Sequence, residues 1–166
     1  MGLKTYIKKP FKKLDIAVVV ISSSKNKKHR SGNWIEKRIK KEGHNLLKRI
    51  TVKNNFSEIS TAVTNLIFYE NPHCIITTGG TGLGRNDITI ETISPLFTKE
   101  ITGFSSAFTS IRLEQIDSPA ILSRAKAGIA GKTVIFCLPK SVGACKLASK
   151  ALIFPELEHI VNNIRN

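Results

Sequence analysis

Cys74-Ile-Ile-Thr-Thr78 runs without a break into the glycine cluster Gly79-Gly-Thr-Gly82. A short β-branched run bounded by turn residues is a strand, and glycines at its carboxyl end mark a tight turn or a ligand loop. Immediately upstream, Phe56, Ile59, Ala62, Val63, Leu66, Ile67 and Tyr69 recur close to a 3.6-residue period over residues 56–70, and Pro72 stops that helix before the strand begins. A helix feeding a buried strand is half of a β-α-β unit, so the neighbouring segments decide whether the unit repeats.

It does repeat. Ile16-Ala-Val-Val-Val-Ile21, bounded by Ser22-Ser-Ser24, reads as a strand buried on both faces. Asn33 is suited to cap a helix through Trp34, Ile35, Ile39 and Lys41 that ends at Gly43, and residues 44–52 read as a second, partly alternating strand. On the other side, residues 133–138 form a late strand before Pro139-Lys-Ser-Val-Gly143, followed by an apolar helical stretch over 144–154 and a final helix after Pro155. This alternation predicts the α/β class, a mostly parallel sheet with helices on both faces. Residues 1–13 form a basic leader and 14–166 one domain, with no internal repeat or linker. In open parallel sheets ligands bind beyond the carboxyl ends of the strands. Three loops qualify, 22–32, 79–87 and 139–143, and the topology places them on one rim around a single site.

Composition narrows the function. The chain has 166 residues and a net charge of +14, which invites a nucleic-acid reading. The charge is uneven, however: residues 1–50 hold 15 Lys or Arg against 3 acids, and residues 51–166 hold 11 against 9. The basic half offers only Tyr6, Phe11 and Trp34 for base stacking, and Trp34 sits in a helical apolar pattern, so a nucleic-acid module ranks low. Cys74, Cys137 and Cys145 form no CxxC pair and are expected to be buried thiols; His29, His44, His73 and His159 have no ligand spacing. No apolar stretch approaches the ~20 residues of a membrane helix, and the basic start leads into no signal core, so a cytoplasmic protein is expected.

Gly79-Gly-Thr-Gly-Leu-Gly84 lacks a β-carbon at four of its six positions, which lets backbone N–H groups face an anion such as phosphate. It is not the dinucleotide fingerprint, since Arg85 stands where the third glycine belongs, and Arg85-Asn86 replaces the Lys-[Ser/Thr] of a P-loop. Asp87 follows the loop within a few residues. A carboxylate beside a phosphate cradle repels the ligand unless it holds Mg²⁺, which takes oxygen ligands and bridges phosphates; this makes Asp87 the best metal-ligand candidate. Two alternatives remain: the loop as a plain strand-to-helix turn, and Asp87 as N-cap of a helix through Ile90, Ile93 and Leu96. Glu91 fits a first-turn partner of that helix's dipole.

With these residues in hand, a longer pattern stands out. Thr77-Thr-Gly-Gly-Thr-Gly-Leu-Gly-Arg-Asn-Asp87, Pro95-Leu-Phe97, Glu100-x-x-Gly-Phe104, Leu122-Ser-Arg-Ala125, Ala127-Gly128, Lys132-Thr-Val-Ile-Phe136 and Leu138-Pro139, with Ser31-Gly32 and Glu42-Gly43-His44 upstream, resemble in order and spacing the molybdenum cofactor biosynthesis proteins of the MoaB/Mog family, and within it the MoaB branch. The resemblance covers roughly residues 14–160 and implies a three-layer α/β/α sandwich assembled as a homotrimer or homohexamer. Active relatives transfer AMP from Mg-ATP to the terminal phosphate of molybdopterin and release pyrophosphate. Carried over by motif, Asp87 matches the Mg²⁺-binding, catalytic aspartate. Gly79, Gly80, Thr81 and Gly82, with Ser31 and Gly32, match the phosphate and nucleotide site; Ser123, Arg124, Pro139, Lys140 and Ser141 match the pterin site. Other molybdenum cofactor biosynthesis proteins are implied as partners. Without the resemblance, Ser123-Arg124 reads equally as a polar helix start with an exposed Arg.

The chain also departs from that pattern. The usual Asp-x-Ser-Gly is His29-Arg-Ser-Gly32, a Ser-Asn/Asp-Arg stretch is Ser22-Ser23-Ser24, a second acid aligns with Asn54, Leu-Pro-Gly-Ser is Leu138-Pro-Lys-Ser141, and Phe-Arg is Phe108-Thr109. A lost acid and an added cation weaken Mg-ATP chemistry on paper. A protein of the same fold that binds molybdopterin or its precursor without turnover is therefore the second hypothesis.

Overall fold

Alternate residues of β1 (Asp15–Ile21) pack on opposite sides, and this sets up two cores. The computed structural model describes residues 13–24 and 28–166, so the leader expected at 1–13 lies outside the described residues apart from Lys13. Ile16, Val18 and Val20 face a core completed by Ile35 and Ile39 of α1 (Arg30–Lys41), Phe104 and Phe108 of α4 (Thr102–Ile116), Ala144 and Ala148 of α5 (Val142–Ala148), and Leu157 and Val161 of α6 (Phe154–Arg165). Ala17, Val19 and Ile21 face a second core with Ile59 and Val63 of α2 (Phe56–Asn65) and Ile90 and Ile93 of α3 (Thr89–Ile93). Each fully buried Ile or Val stabilises by about 1.5–3 kcal/mol. The result is the expected three-layer α/β/α sandwich.

Between the helical layers lies one six-stranded sheet in the order β2-β1-β3-β6-β5-β4. β2 (Asn45–Val52), β1, β3 (Cys74–Thr78) and β6 (Thr133–Leu138) are mutually parallel, and β5 (Lys126–Ala130) and β4 (Lys99–Glu100) add an antiparallel edge. A mostly parallel sheet was expected; the antiparallel edge is additional. Among the described residues, no helix is long and apolar enough to cross a membrane.

Several local expectations shift. α1 starts at Arg30 with His29 at its N-cap, three residues before Asn33, whose N–H already bonds the His29 carbonyl inside the first turn. α6 starts at Phe154, and Pro155 sits in its first turn instead of before it, where a fixed φ and a missing N–H cost nothing. In α2 and the π turn that follows it, Ile59, Val63 and Leu66 are buried, whereas Phe56 and Tyr69 of the same periodic pattern face solvent. All three cysteines are free and buried; burial lifts the Cys145 thiol to about 11. Trp34 packs against the first core.

Two histidines pin the start of β1. His44 Nδ1 accepts from the Leu14 N–H at 3.4 Å and His73 Nδ1 from the Asp15 N–H at 3.0 Å. Burial lowers the pKa of both, against the pull of Glu158 and Glu42 on His44; for His73, Arg165 and His44 act with burial and Asp15 against it. Protonation would put hydrogens on the accepting nitrogens. Because the unfolded chain binds these protons more readily, stability is complete above the ordinary imidazole pKa of about 6.5 and declines as pH falls below it. Urea midpoints should drop between pH 7.5 and 5, and the drop should shrink in His73→Gln; equal slopes for both proteins would remove His73 from this role.

Candidate functional site

The parallel order puts β1, β3 and β6 side by side, so the loops that leave their carboxyl ends meet, as the loop positions predicted. They enclose a cavity of about 280 Å³ lined by Ser22, Ser24, Asn54, Gly80, Asp87 and Lys140 among others. A smaller one, about 170 Å³, shares Lys140 and Ser22 and is bounded by Lys28, His29, Arg30, Ser31 and Thr78. A larger groove of about 640 Å³ runs between β2 and α2, but no residue of the glycine loop lines it. Size therefore does not locate the site; the convergence of the rim loops does.

The glycine loop is held in a shape that side chains resist. Gly79 and Gly80 have φ of +104° and +66°. A β-carbon on Gly79 would strike the Ile21 carbonyl oxygen, and one on Gly80 would strike the Thr89 hydroxyl and lie 2.8 Å from Asn54 Oδ1. Thr89 Oγ1 donates to the Gly79 carbonyl at 2.8 Å, the Thr89 N–H to the Gly80 carbonyl at 2.9 Å, and the Gly79 N–H to the Leu138 carbonyl at 3.0 Å. Thr81 is buried. The loop is thus strapped to β6 and to the start of α3.

Asp87 is no helix cap. α3 begins after Ile88, without a side-chain cap, and the Asp87 carboxylate turns back to accept the Gly84 N–H at 3.1 Å. A β-carbon on Gly82 would lie 2.7 Å from the same carboxylate oxygen, so the loop wraps the acid closely. Among the described residues no cation pairs with Asp87. Across the cavity, Asn54 Oδ1 is buried and has no hydrogen-bond partner. A carboxylate and an unsatisfied amide oxygen at one cavity are oxygen donors suited to a hard cation such as Mg²⁺. No three His, Cys, Asp or Glu converge among the described residues. The fit is therefore to an ion that takes most of its ligands from water and phosphate, as Mg²⁺ does, and not to a closed protein cage.

The remaining predicted residues divide by what they touch. Arg124 donates to the Gly82 carbonyl at 3.1 Å and forms an ion pair with Glu91, so it ties the loop to α3. Burial opposes the Glu91 charge, but the Arg124 hydrogen bond, a backbone hydrogen bond and the charges of Arg124 and Lys126 together outweigh it and hold the carboxyl below its ordinary pKa. Ser123-Arg124 is not a helix start, since a 3₁₀ turn over Ser118–Leu122 precedes it and β5 follows. Ser31 is buried and accepts from Thr78 Oγ1 at 3.0 Å, within a cluster in which Cys145 Sγ donates to the Pro139 carbonyl. Gly32 is explained by packing: a β-carbon there would lie 2.6 Å from Val20 Cγ2, so α1 could not sit so close to β1. Ser141 Oγ caps α5 by accepting the Ala144 N–H at 3.1 Å, and Lys140 beside it is exposed at the mouth of both cavities. The Glu91–Arg124 pair and the Thr89 strap escaped the sequence reading because both join positions that only the folded chain brings together.

A family model described as a probable molybdopterin binding domain matches residues 17–159. The chain belongs to this family. It is 38% identical over 162 residues to molybdenum cofactor biosynthesis protein B of Bacillus cereus, covering 96% of both chains. The crystal structure of a molybdenum cofactor biosynthesis protein B superimposes with a TM-score of 0.88 at 38% identity, over 92% of this chain and 96% of that one. The tungsten cofactor synthesizing protein MoaB from Pyrococcus furiosus gives 0.86 at 33%, over 93% and 99%. The MoaB/Mog resemblance and the sandwich fold are thereby borne out, and the family match spans all three rim loops.

Proposed function

We propose that this protein acts in molybdenum cofactor biosynthesis by transferring AMP from Mg-ATP to the terminal phosphate of molybdopterin, releasing pyrophosphate. Membership of the molybdopterin-binding family and likeness to the B proteins support the pathway. The adenylylation step rests on one observation: a carboxylate, Asp87, without an ion pair among the described residues, wrapped by a glycine loop at a cavity that also receives Asn54 and Lys140. In the reaction a phosphate oxygen of the pterin attacks the α-phosphorus of ATP, and the bond to the β-phosphate breaks. No proton need move, so positioning and charge neutralisation carry the catalysis.

In this assignment the glycine loop presents backbone to phosphate, Asp87 with the Asn54 amide oxygen would hold Mg²⁺, and Lys140 meets phosphate charge from the third loop. Bound there, Mg²⁺ would neutralise phosphate oxygens in the transition state. Arg124 positions the loop through Gly82 and leaves pterin contact to Ser123, Pro139 and Ser141. The test is direct: purified protein with molybdopterin, Mg²⁺ and ATP should yield adenylylated pterin and pyrophosphate. The protein would work in the cytoplasm as a homotrimer or homohexamer, an assembly that sedimentation velocity reads directly.

Asn54 favours a second reading, a binder without turnover, because the family's second acid is absent at this cavity. Asn54→Asp separates the two. Restoring a carboxylate should lower the Mg²⁺ concentration needed for half-maximal turnover by about tenfold, on the order of one charge pair at this exposure. Pterin binding with no product in either protein would establish the binder.

A further inference from the structure

The smaller rim cavity carries charge, at Lys28 and Arg30, that adenylyl transfer at Asp87 leaves unused. Lys28, His29 and Arg30 bound it at the start of α1, Lys140 closes it from the loop after β6, and among the described residues no carboxylate lines it. Among the described residues none of Lys28, Arg30 and Lys140 forms an ion pair; the same holds for Lys37 and Lys41 farther along α1, while Arg38 pairs with Glu42, and Lys40 and Arg49 with Glu36, so what sets the first three apart is their convergence on one cavity. Lys28 and Arg30 also stand at the wrong end of the helix. An α-helix is electropositive at its N-terminus and favours acids there. α1 has no acid in its first turn and no side-chain cap at His29, and it adds positive side chains instead. The arrangement works against the helix by itself and becomes favourable when an anion sits among the cations. Behind them, Ser31 is buried and its hydroxyl accepts from Thr78.

We propose that this cavity is a polyphosphate subsite, which takes the diphosphate of free pyrophosphate or of a nucleoside triphosphate tail through side-chain cations and without a metal ion. Its volume, about 170 Å³, is that of roughly five or six waters at about 30 Å³ each, a space for a small anion and not for a whole nucleotide. Lys140, shared with the Asp87 cavity, places the subsite where a polyphosphate would extend from a nucleotide at the glycine loop. The inference rests on reading the rim as a phosphate-ligand site, and in this chain it gives the cations Lys28, Arg30 and Lys140 a use.

Calorimetric titration of the full chain in EDTA at constant ionic strength tests it, with inorganic pyrophosphate, ATP, AMP and sulfate as probes. Pyrophosphate and ATP should bind once per chain, at least tenfold tighter than AMP or sulfate. Arg30→Ala and Lys140→Gly should each weaken pyrophosphate at least tenfold, while Lys150→Ala, which removes the same charge outside the cavity, leaves it unchanged. Circular dichroism checks folding, and Lys140→Gln replaces the glycine variant if that one unfolds. Sulfate binding as tightly as pyrophosphate, no saturable binding without metal, or unaltered affinity in both cavity variants would each overturn the subsite. Metal-free pyrophosphate binding in a protein that never adenylylates molybdopterin would overturn the enzyme reading and leave the subsite standing. Turnover without metal-free pyrophosphate binding would do the reverse.

Discussion

Asp87→Ala is expected to lower adenylylation of molybdopterin about 10²–10³-fold, the usual loss when one preorganised electrostatic group is removed from a charged transition state. The protein should still fold, because the carboxylate makes one exposed hydrogen bond, to the Gly84 N–H, and no ion pair among the described residues. Losing such a bond costs about 1 kcal/mol, small against a typical 5–15 kcal/mol of stability. Asp87→Asn sharpens the outcome, since an amide oxygen can still accept from Gly84 while the charge is gone. If Asn restores turnover, Asp87 merely shapes the loop; if Asn is as inactive as Ala, the charge is what matters. Steady-state rates across a Mg²⁺ series, with thermal melts of each variant, make the measurement.

Gly79→Ala is the second large effect, and it falls on folding first. At φ +104° an L side chain is strained, and the new methyl would press on the Ile21 carbonyl at the end of β1. Strain of about 1–2 kcal/mol and overpacking of about 1–3 kcal/mol combine to a loss on the order of 3 kcal/mol or more. The Ile21 contact is backbone, so no rotamer change can relieve it. Relaxation would have to move the loop off the Leu138 carbonyl and away from Thr89, which unmakes the cradle. Reduced denaturation midpoint together with lost phosphate-ligand binding is the expected pair of results. A stable Gly79→Ala protein with unaltered ATP affinity would show that the loop tolerates another backbone shape.

Much of the fold was legible along the chain. The β-branched runs at 16–21, 74–78 and 133–138 are buried on both sides of a parallel sheet, where polarity cannot alternate, and so they announce themselves by composition. Between Phe97 and Lys132 the sequence offered family motifs but no readable strand or helix. α4 buries only Phe104 and Phe108 and carries Ser and Thr on much of its surface, so its apolar stripe is narrow. β5, Lys126-Ala-Gly-Ile-Ala130, has few β-favouring side chains and becomes a strand by pairing with β6. Gly128 lies under Phe97 in that edge, a fit between residues far apart in the chain.

The site divides in the same way. By itself the sequence determined that a glycine loop with an adjacent acid follows a buried strand, that two further loops leave the same end of a parallel sheet, and that family motifs link them, because strand direction and loop order are one-dimensional facts. Only the tertiary structure decided what each residue touches. It turned Asp87 from a possible cap into a carboxylate held by the loop, made Arg124 a strut between Gly82 and Glu91, gave Gly32 to helix packing, and gathered Lys28, Arg30 and Lys140 around one cavity. Charge attraction, hydrogen bonding and steric fit depend on distances through space. Residues 30 and 140 become neighbours only once β1 and β6 flank β3 in the sheet.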